Sequence, residues 1–377
     1  MKSDERTTTE TLRRLCSGGP VTSVYFNLTA PPGEEDAALR RELLAKRLRA
    51  QGADEAAVEA VDRLIMRAEP GSGAVAVFAV EDIGAVDGEP EPLVVEMPGA
   101  RPRDLAVHGP VPCLLPLLAW LQERPPYVLT LVDRKGADIE TCRGGTTAAT
   151  TRTVDGPDDE IVRNAPGGWS QSRHQHRAED SWEHNATRVA HALAGDLADS
   201  GARVLLLGGD VRAMQYLTKH LPEGVRQEVT VGHVSGGRGR DGAWQRRKRQ
   251  VREQVGRWAD EETRGLLKRL DEGRGPSGLA VEGAVPTLRA LARGQVATLL
   301  VADDPADRRT AWFGPAPTQV SDRRTPLVEE GASPVVRGRL ADVAVRAAVL
   351  TGAEVHVLDP EAPGLPSQGI GALCRYA

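Results

Sequence analysis

Short apolar runs rich in β-branched residues recur along the whole chain, and segments of helical length lie between them. Residues 21–28, 74–80, 93–97, 127–132, 203–208, 296–302 and 354–358 read as strands. Residues 9–16, 37–51, 54–68, 181–198, 211–220, 242–272, 281–293 and 339–350 read as helices. The clearest is 181–198, where Trp182, Ala186, Val189, Leu193 and Leu197 fall at helical spacing. Residues 137–142 return as a hairpin partner of 127–132, and the Thr-rich stretch 146–154 extends that sheet. A further strand is predicted at 227–231. Such alternation specifies stacked α/β layers, and no repeat of fixed period interrupts it.

Two breaks divide the pattern. Arg124-Pro125-Pro126 and Gly273-Arg274-Gly275-Pro276 are boundary chemistry. They predict three α/β domains, at 1–124, 125–273 and 274–377, a sensible partition of 377 residues. Aromatic residues are only 3%, so the cores must be built from Ala, Val and Leu. The net charge of -5 excludes a protein that coats nucleic acid with its whole surface, so any RNA contact is local. The four cysteines, Cys16, Cys113, Cys142 and Cys374, form no CxxC pair, which speaks for a reducing cytosol over a disulfide framework. The first residues are charged and no run approaches a membrane span, so a cytoplasmic protein is expected.

The most unusual segment is the polar stretch 155–180. At its centre stands Pro166-Gly167-Gly168-Trp169-Ser170-Gln171, followed by Arg173, His174, His176 and Arg177. Two glycines free the backbone and a large aromatic sits at the tip. Such a tip can enter an RNA cavity, stack its indole on a base and set its arginines on phosphates. The plain alternative is a long surface loop with Trp169 folded back onto its domain. A second basic concentration comprises Arg238, Arg240, Arg246, Arg247, Lys248, Arg249 and Arg252, with Trp244 among them. It reads as an RNA contact, because the glycines at 236, 237 and 239 leave its start uncompensated. The alternative is a solvated helix face balanced by Glu253, Asp260, Glu261 and Glu262.

Other candidates are weaker. His176, His184 and His191 lack a completing ligand set, so no metal is expected and a polar helix face is preferred. Gly208-Gly209-Asp210 lacks dinucleotide or Walker spacing and reads as a turn with Asp210 as helix N-cap. Asp158, Asp159 and Glu160 read as an exposed acidic loop. No cofactor is implied.

Gly167-Gly168-Trp169-Ser170-Gln171-Ser172-Arg173, then His184-Asn185 and Arg188-Val189-Ala190, resembles the Gly-Gly-Gln loop and following helix of archaeal and eukaryotic class-one release factors and Pelota. Gly278–Glu282 through 294–301 resembles the opening of that family's third domain. Gly369-Ile370-Gly371-Ala372-Leu373-Cys374-Arg375-Tyr376 resembles its closing strand. The nearest likeness is to the bacterial branch, which is similar to ribosome hibernation factors. The resemblance implies a ribonuclease-H-like middle domain and a ribosomal-protein-like α/β/α sandwich at the C-terminus. It also implies the ribosome, through rRNA of both subunits, as partner, with a translational GTPase such as elongation factor Tu as a further partner. Gly167, Gly168, Trp169, Ser170, Gln171, Arg173, His174 and Arg177 then contact rRNA together with the basic run.

Two departures shape the expected function. Trp169 stands where release factors carry the glutamine that helps water attack peptidyl-tRNA, and an indole has one donor and no acceptor. No Asn-Ile-Lys-Ser motif occurs, and the connection 51–54 is too short for a codon-reading loop. The expectation is a factor that occupies the A site of idle or stalled ribosomes without termination. The alternative is a peptidyl-tRNA hydrolase or tRNA-cleaving rescue factor that uses Gln171.

Overall fold

The computed structural model describes residues 9–29, 34–81, 92–145, 148–155, 170–239, 242–275 and 278–376, with side chains of 34–35 and 170–182 excepted. The chain forms two compact units, one of Met1–Gln122 with Thr263–Ala377 and one of Glu123–Glu262.

The first unit opens with α1 (Thr9–Ser17), β1 (Val21–Asn27), α2 (Glu34–Ala50), α3 (Glu55–Arg67) and β2 (Gly73–Val80). It continues with β3 (Leu93–Pro98), β4 (Leu105–Gly109) and α4 (Leu115–Gln122). The strands form an antiparallel sheet in the order β3-β2-β1-β4. β1 and β2 are buried along nearly their whole length, Thr22 and Ser23 of β1 included, because both faces are covered. Val24, Phe26, Val75 and Val77 pack with Leu44, Leu48, Val61 and Ile65 of α2 and α3. Tyr25 and Phe78 face the other core. The fully buried Tyr25 hydroxyl donates to the Cys113 carbonyl at 2.8 Å and accepts from Leu117 N–H at 3.3 Å. Burial without a partner would cost such a hydroxyl several kcal/mol, on the order of 2–7.

The second unit comprises β5 (Tyr127–Val132), β6 (Gly136–Cys142), β7 (Ala149–Asp155), α5 (Ser170–Ser200), β8 (Val204–Gly209), α6 (Val211–His220), α7 (Glu223–Glu228), β9 (Thr230–His233) and the first part of α8 (Trp244–Glu272). Its sheet runs β7-β6-β5-β8-β9. A three-strand meander is continued by two parallel strands, the ribonuclease-H-like layout expected. Val189, Leu193 and Leu197 of α5 and Leu217 of α6 cover one face. Val251 and Val255 of α8 cover the other, against Leu129, Leu131 and Leu206.

The last segment returns to the first unit with β10 (Ala280–Glu282), α9 (Ala284–Ala292), β11 (Val296–Ala302), β12 (Thr310–Phe313), β13 (Val320–Ser321), α10 (Arg324–Glu329), β14 (Val336–Arg339), α11 (Leu340–Thr351), β15 (Glu354–Leu358) and β16 (Ile370–Cys374). The main sheet is ordered β10-β16-β11-β15. Leu288 and Leu291 of α9 and Val343 and Ala347 of α11 cover one face, and Leu266 and Leu270 of α8 the other, an α/β/α sandwich. The motifs at 278–282, 294–301 and 369–376 thus become three neighbouring strands, with β16 between β10 and β11.

First and last segments share one core, in which Leu15, Tyr25, Leu117 and Trp120 join Leu288, Leu299 and Val343. Arg346 crosses between them: its Nε donates to the Cys16 carbonyl at 2.9 Å and its Nη2 to that of Pro315 at 3.1 Å, with the guanidinium 4.7 Å from the Phe313 ring centroid.

Several elements differ from the sequence reading. α5 starts at Ser170 rather than 181, because residues 170–180 hold helix-forming Gln, Arg, Glu and Ala without any apolar period to reveal them. The strand predicted at 227–231 is α7 followed by β9. The helix predicted from 281 is β10, then α9 from Ala284. Residues 303–339 contain a three-stranded sheet, β13-β12-β14, and α10, none of them among the predicted elements. Asp54 occupies the N-cap position of α3 without a side-chain capping bond, its N–H instead donating to Glu81 Oε1 at 3.2 Å.

Candidate nucleic-acid interface

The carboxyl ends of β5 and β8 organise the second unit's most polar corner. Gly209 has φ +119°, and a Cβ there would lie 1.9 Å from the Val132 carbonyl oxygen. Glycine therefore lets the β8 end close against β5, and Asp210 N–H donates to that same carbonyl at 3.0 Å. The Asp210 side chain then accepts from Arg212 and Ala213 N–H at 2.9 and 3.1 Å, the expected N-cap of α6.

Arg238 occupies the corner itself. Its guanidinium donates to Asp155 at 2.6 Å, Asp133 at 3.0 Å and Asp138 at 3.3 Å, and its side chain is 16% exposed. Burial alone would lower its pKa; the hydrogen bonds to Asp155, Asp133 and Asp138 outweigh this and hold it above the ordinary arginine value. Arg238 was read with the basic run as an rRNA ligand; in the structure its Nη1 and Nη2 are held by three carboxylates, which gives it an anchoring place in the fold. Asp155 is the last described residue before the segment holding Gly167, Gly168 and Trp169. The same guanidinium therefore ties the end of β7 to the glycine-rich approach to α8.

α5 is fastened to the same corner. Asn185, buried, donates from Nδ2 to the Arg134 carbonyl at 3.2 Å in the β5–β6 turn. Glu183 accepts from His220 Nε2 at 3.0 Å and Lys219 Nζ at 3.3 Å, joining α5 to α6. The bonds from Lys219, then His220, hold its carboxyl below the usual range. His184 and His191 are exposed.

α8 carries the basic run. Arg246, Lys248, Arg249 and Arg252 are exposed and Arg247 is half-buried. No acidic residue lies in the first turn, and residues 244–252 hold five cations and no carboxylate. Arg246 and Arg247, on the first turn, oppose the helix macrodipole, whose effect fades beyond that turn. Arg246, Arg249 and Arg252 make no ion pair among the described residues. Gln250 secures the helix start: its Oε1 accepts from Ser235 N–H at 2.8 Å, and its Nε2 donates to Ser235 Oγ at 3.1 Å.

Of the other residues singled out in the sequence, Gly167, Gly168, Trp169 and Arg240 lie outside the described residues. Ser170, Gln171, Arg173, His174 and Arg177 fall on the first turns of α5, a helix and not the loop expected. Sequence reasoning missed the partners of Arg238. The aspartates lie 83 to 105 residues away, and no local signal links them. Cys16, Cys113 and Cys142 are buried thiols, and burial pushes Cys16 up to about 12, far from a nucleophilic thiolate. No helix among the described residues is long and apolar enough to cross a membrane.

Residues 126–276 match the family model of Bacterial archaeo-eukaryotic release factor family 2. The match covers the segment in which the glycine loop and its following helix had suggested the resemblance. Along nearly its whole length the chain is also similar to the uncharacterised protein Rv2629 of Mycobacterium tuberculosis, at 27% identity over 98% of this chain and 96% of that one. Among solved structures it is similar to an archaeal translation termination factor, aRF1 (17% identity, 98% of both chains, TM-score 0.25). It is also similar to ribosome-bound archaeal Pelota (15% identity, 98% and 94%, TM-score 0.39).

Proposed function

We propose that the protein is a ribosome-binding translation factor that occupies the A site of idle or stalled ribosomes without reading stop codons. The observation that carries this reading is the basic start of α8, with Arg246, Lys248, Arg249 and Arg252 exposed, in a segment matched by a release-factor family model. These exposed cations, with no carboxylate between residues 244 and 252, form a local patch suited to a polyanion. Trp169, standing where release factors carry the hydrolytic glutamine, supports a factor that does not release peptide. In this reading Gly167, Gly168 and Trp169 form the tip. Ser170, Gln171, Arg173, His174 and Arg177 form its stem, and Arg240, Arg246, Arg247, Lys248 and Arg249 hold phosphates. The protein works in the cytoplasm, and elongation factor Tu is the delivering partner.

The test is cosedimentation with vacant 70S ribosomes, with and without elongation factor Tu and GDP. Stoichiometric pelleting of the wild type, lost in Arg246→Glu/Arg247→Glu/Arg249→Glu, is expected. No pelleting under either condition would sink the proposal. A parallel peptidyl-tRNA hydrolysis assay addresses the enzymatic reading: release that depends on Gln171 would replace a silencing factor with a hydrolase.

A further inference from the structure

Trp244 opens α8 with 55% of its surface exposed, an unusual position for the largest apolar side chain. It belongs to no core cluster among the described residues. One turn further on, the Lys248 ammonium lies 5.7 Å from its ring centroid. A cation over the π-face holds the indole in place and leaves the rest of its surface to solvent. Arg246, Arg249 and Arg252 are exposed on the same stretch of helix. The helix start is itself fixed by the paired Gln250–Ser235 hydrogen bonds. The result is a rigid aromatic platform with cations within two turns and no carboxylate between residues 244 and 252.

We propose that Trp244 is a stacking site for one unpaired nucleotide of single-stranded RNA, with Arg252 on the same side of the helix and Arg246 and Arg249 around it drawing in the strand's phosphates. This deepens the ribosome reading by naming the element bound by α8, and it rests on that reading only for the identity of the RNA. The ligand class follows from the chemistry. A duplex presents phosphates but hides its base faces, so it uses the arginines and gains nothing from an indole. A single strand offers both phosphates and a π-face. Lys248 over the indole makes the platform a cation–indole–base stack, which tolerates any base.

The experiment is equilibrium binding of the full chain to a short unstructured RNA and to a hairpin duplex of equal phosphate number, across a salt series. The variants are Trp244→Ala, Trp244→Phe and Arg246→Glu/Arg249→Glu, each checked for unchanged thermal unfolding. Trp244→Ala should weaken single-strand binding roughly 5- to 100-fold, the range for loss of one base stack. Its salt dependence should be unchanged, since no phosphate contact is lost. Trp244→Phe should retain most of the affinity. Charge reversal should weaken both RNAs and flatten the salt dependence. Equal binding of both RNAs, with Trp244→Ala indifferent, would overturn the stacking site and leave a purely electrostatic patch. Ribosome pelleting separates the two proposals. If Trp244→Ala pellets normally and single-strand binding ignores it, stacking fails while ribosome binding stands. If the wild type does not pellet but binds the single strand through Trp244, ribosome binding fails and the site stands.

Discussion

The side-chain amide of Gln122 pairs with Val357 as a strand neighbour would. Its Oε1 accepts from Val357 N–H at 2.9 Å, and its Nε2 donates to the Val357 carbonyl at 3.1 Å and to His356 Nε2 at 3.0 Å. β15 is the edge of its sheet, so one residue at the end of α4 covers main-chain groups that an open edge would expose. Gln122→Ala removes three hydrogen bonds at once, two of them to a buried backbone. A loss of about 2–3 kcal/mol is expected in urea unfolding. Gln122→Glu should do comparable damage, because a carboxylate cannot donate to the Val357 carbonyl.

The same bond fixes the protonation of His356. Its Nε2 accepts from the amide and lies 2.8 Å from Thr263 Oγ1, so the neutral ring is favoured, and burial pushes its pKa down to about 4. Asp342 moves the other way: burial raises its carboxyl to about 7, against the pull of Arg339 Nη1 at 3.5 Å. The signs oppose. Between about pH 4 and 6.5 the unfolded state binds the extra proton at histidine, so stability rises with pH. Over the same window the folded state binds the extra proton at Asp342, so stability falls with pH. Asp303, also raised by burial, adds to the Asp342 side. The wild type should therefore show a shallow profile there. Asp342→Asn should unmask the histidine, losing up to about 3 kcal/mol as pH falls from 6.5 to 4. His356→Gln should gain stability over the same interval. Denaturant unfolding at several pH values measures both, and parallel profiles for all three proteins would refute the assignment.

Arg238 tests whether the polar corner is structural. Its carboxylate partners are 32–58% exposed, so solvent screens each pair and the sum is modest. Arg238→Met should cost about 1–2 kcal/mol, mostly from three aspartates left facing one another. It should raise hydrogen exchange in β7 and in residues 234–239 before it alters RNA affinity. Arg249→Glu should do the reverse, changing affinity with no loss of stability. Equal stability losses in the two variants would contradict the division drawn between anchoring and ligand-facing arginines.

How far these features were legible in the sequence depends on distance along the chain. β1, β5, β8, β11 and β15 appear as apolar runs because each is covered on both faces, and Val211–His220 announces itself through its Asp210 cap. β12, β13 and β14 are short, and Arg337, Arg339 and Ser321 break their apolar period, so they read as loop. The basic run was visible as composition. Which arginines it offers to a ligand was not: Arg238 is withdrawn by Asp133, Asp138 and Asp155, and only the folded sheet brings those together. Likewise the joint core of the first and last segments rests on pairs such as Arg346 with the Cys16 carbonyl, 330 residues apart.

Gly209 couples the fold of this corner to its use. Alanine there meets two penalties: a φ of +119° that a Cβ disfavours, and a carbonyl oxygen 1.9 Å away that is backbone and cannot rotate aside. Relief requires β8 to withdraw from the end of β5, where Val132 precedes Asp133, one of the three carboxylates on Arg238. Gly209→Ala should therefore destabilise the second unit by about 2–4 kcal/mol. It should also loosen residues 236–239 more than a substitution of equal cost in the Leu193 core. Hydrogen exchange on Gly209→Ala beside Leu193→Ala distinguishes the two effects. Matching protection in residues 234–239 of both variants would show that the close approach of β8 to β5 does not position the Arg238 anchor.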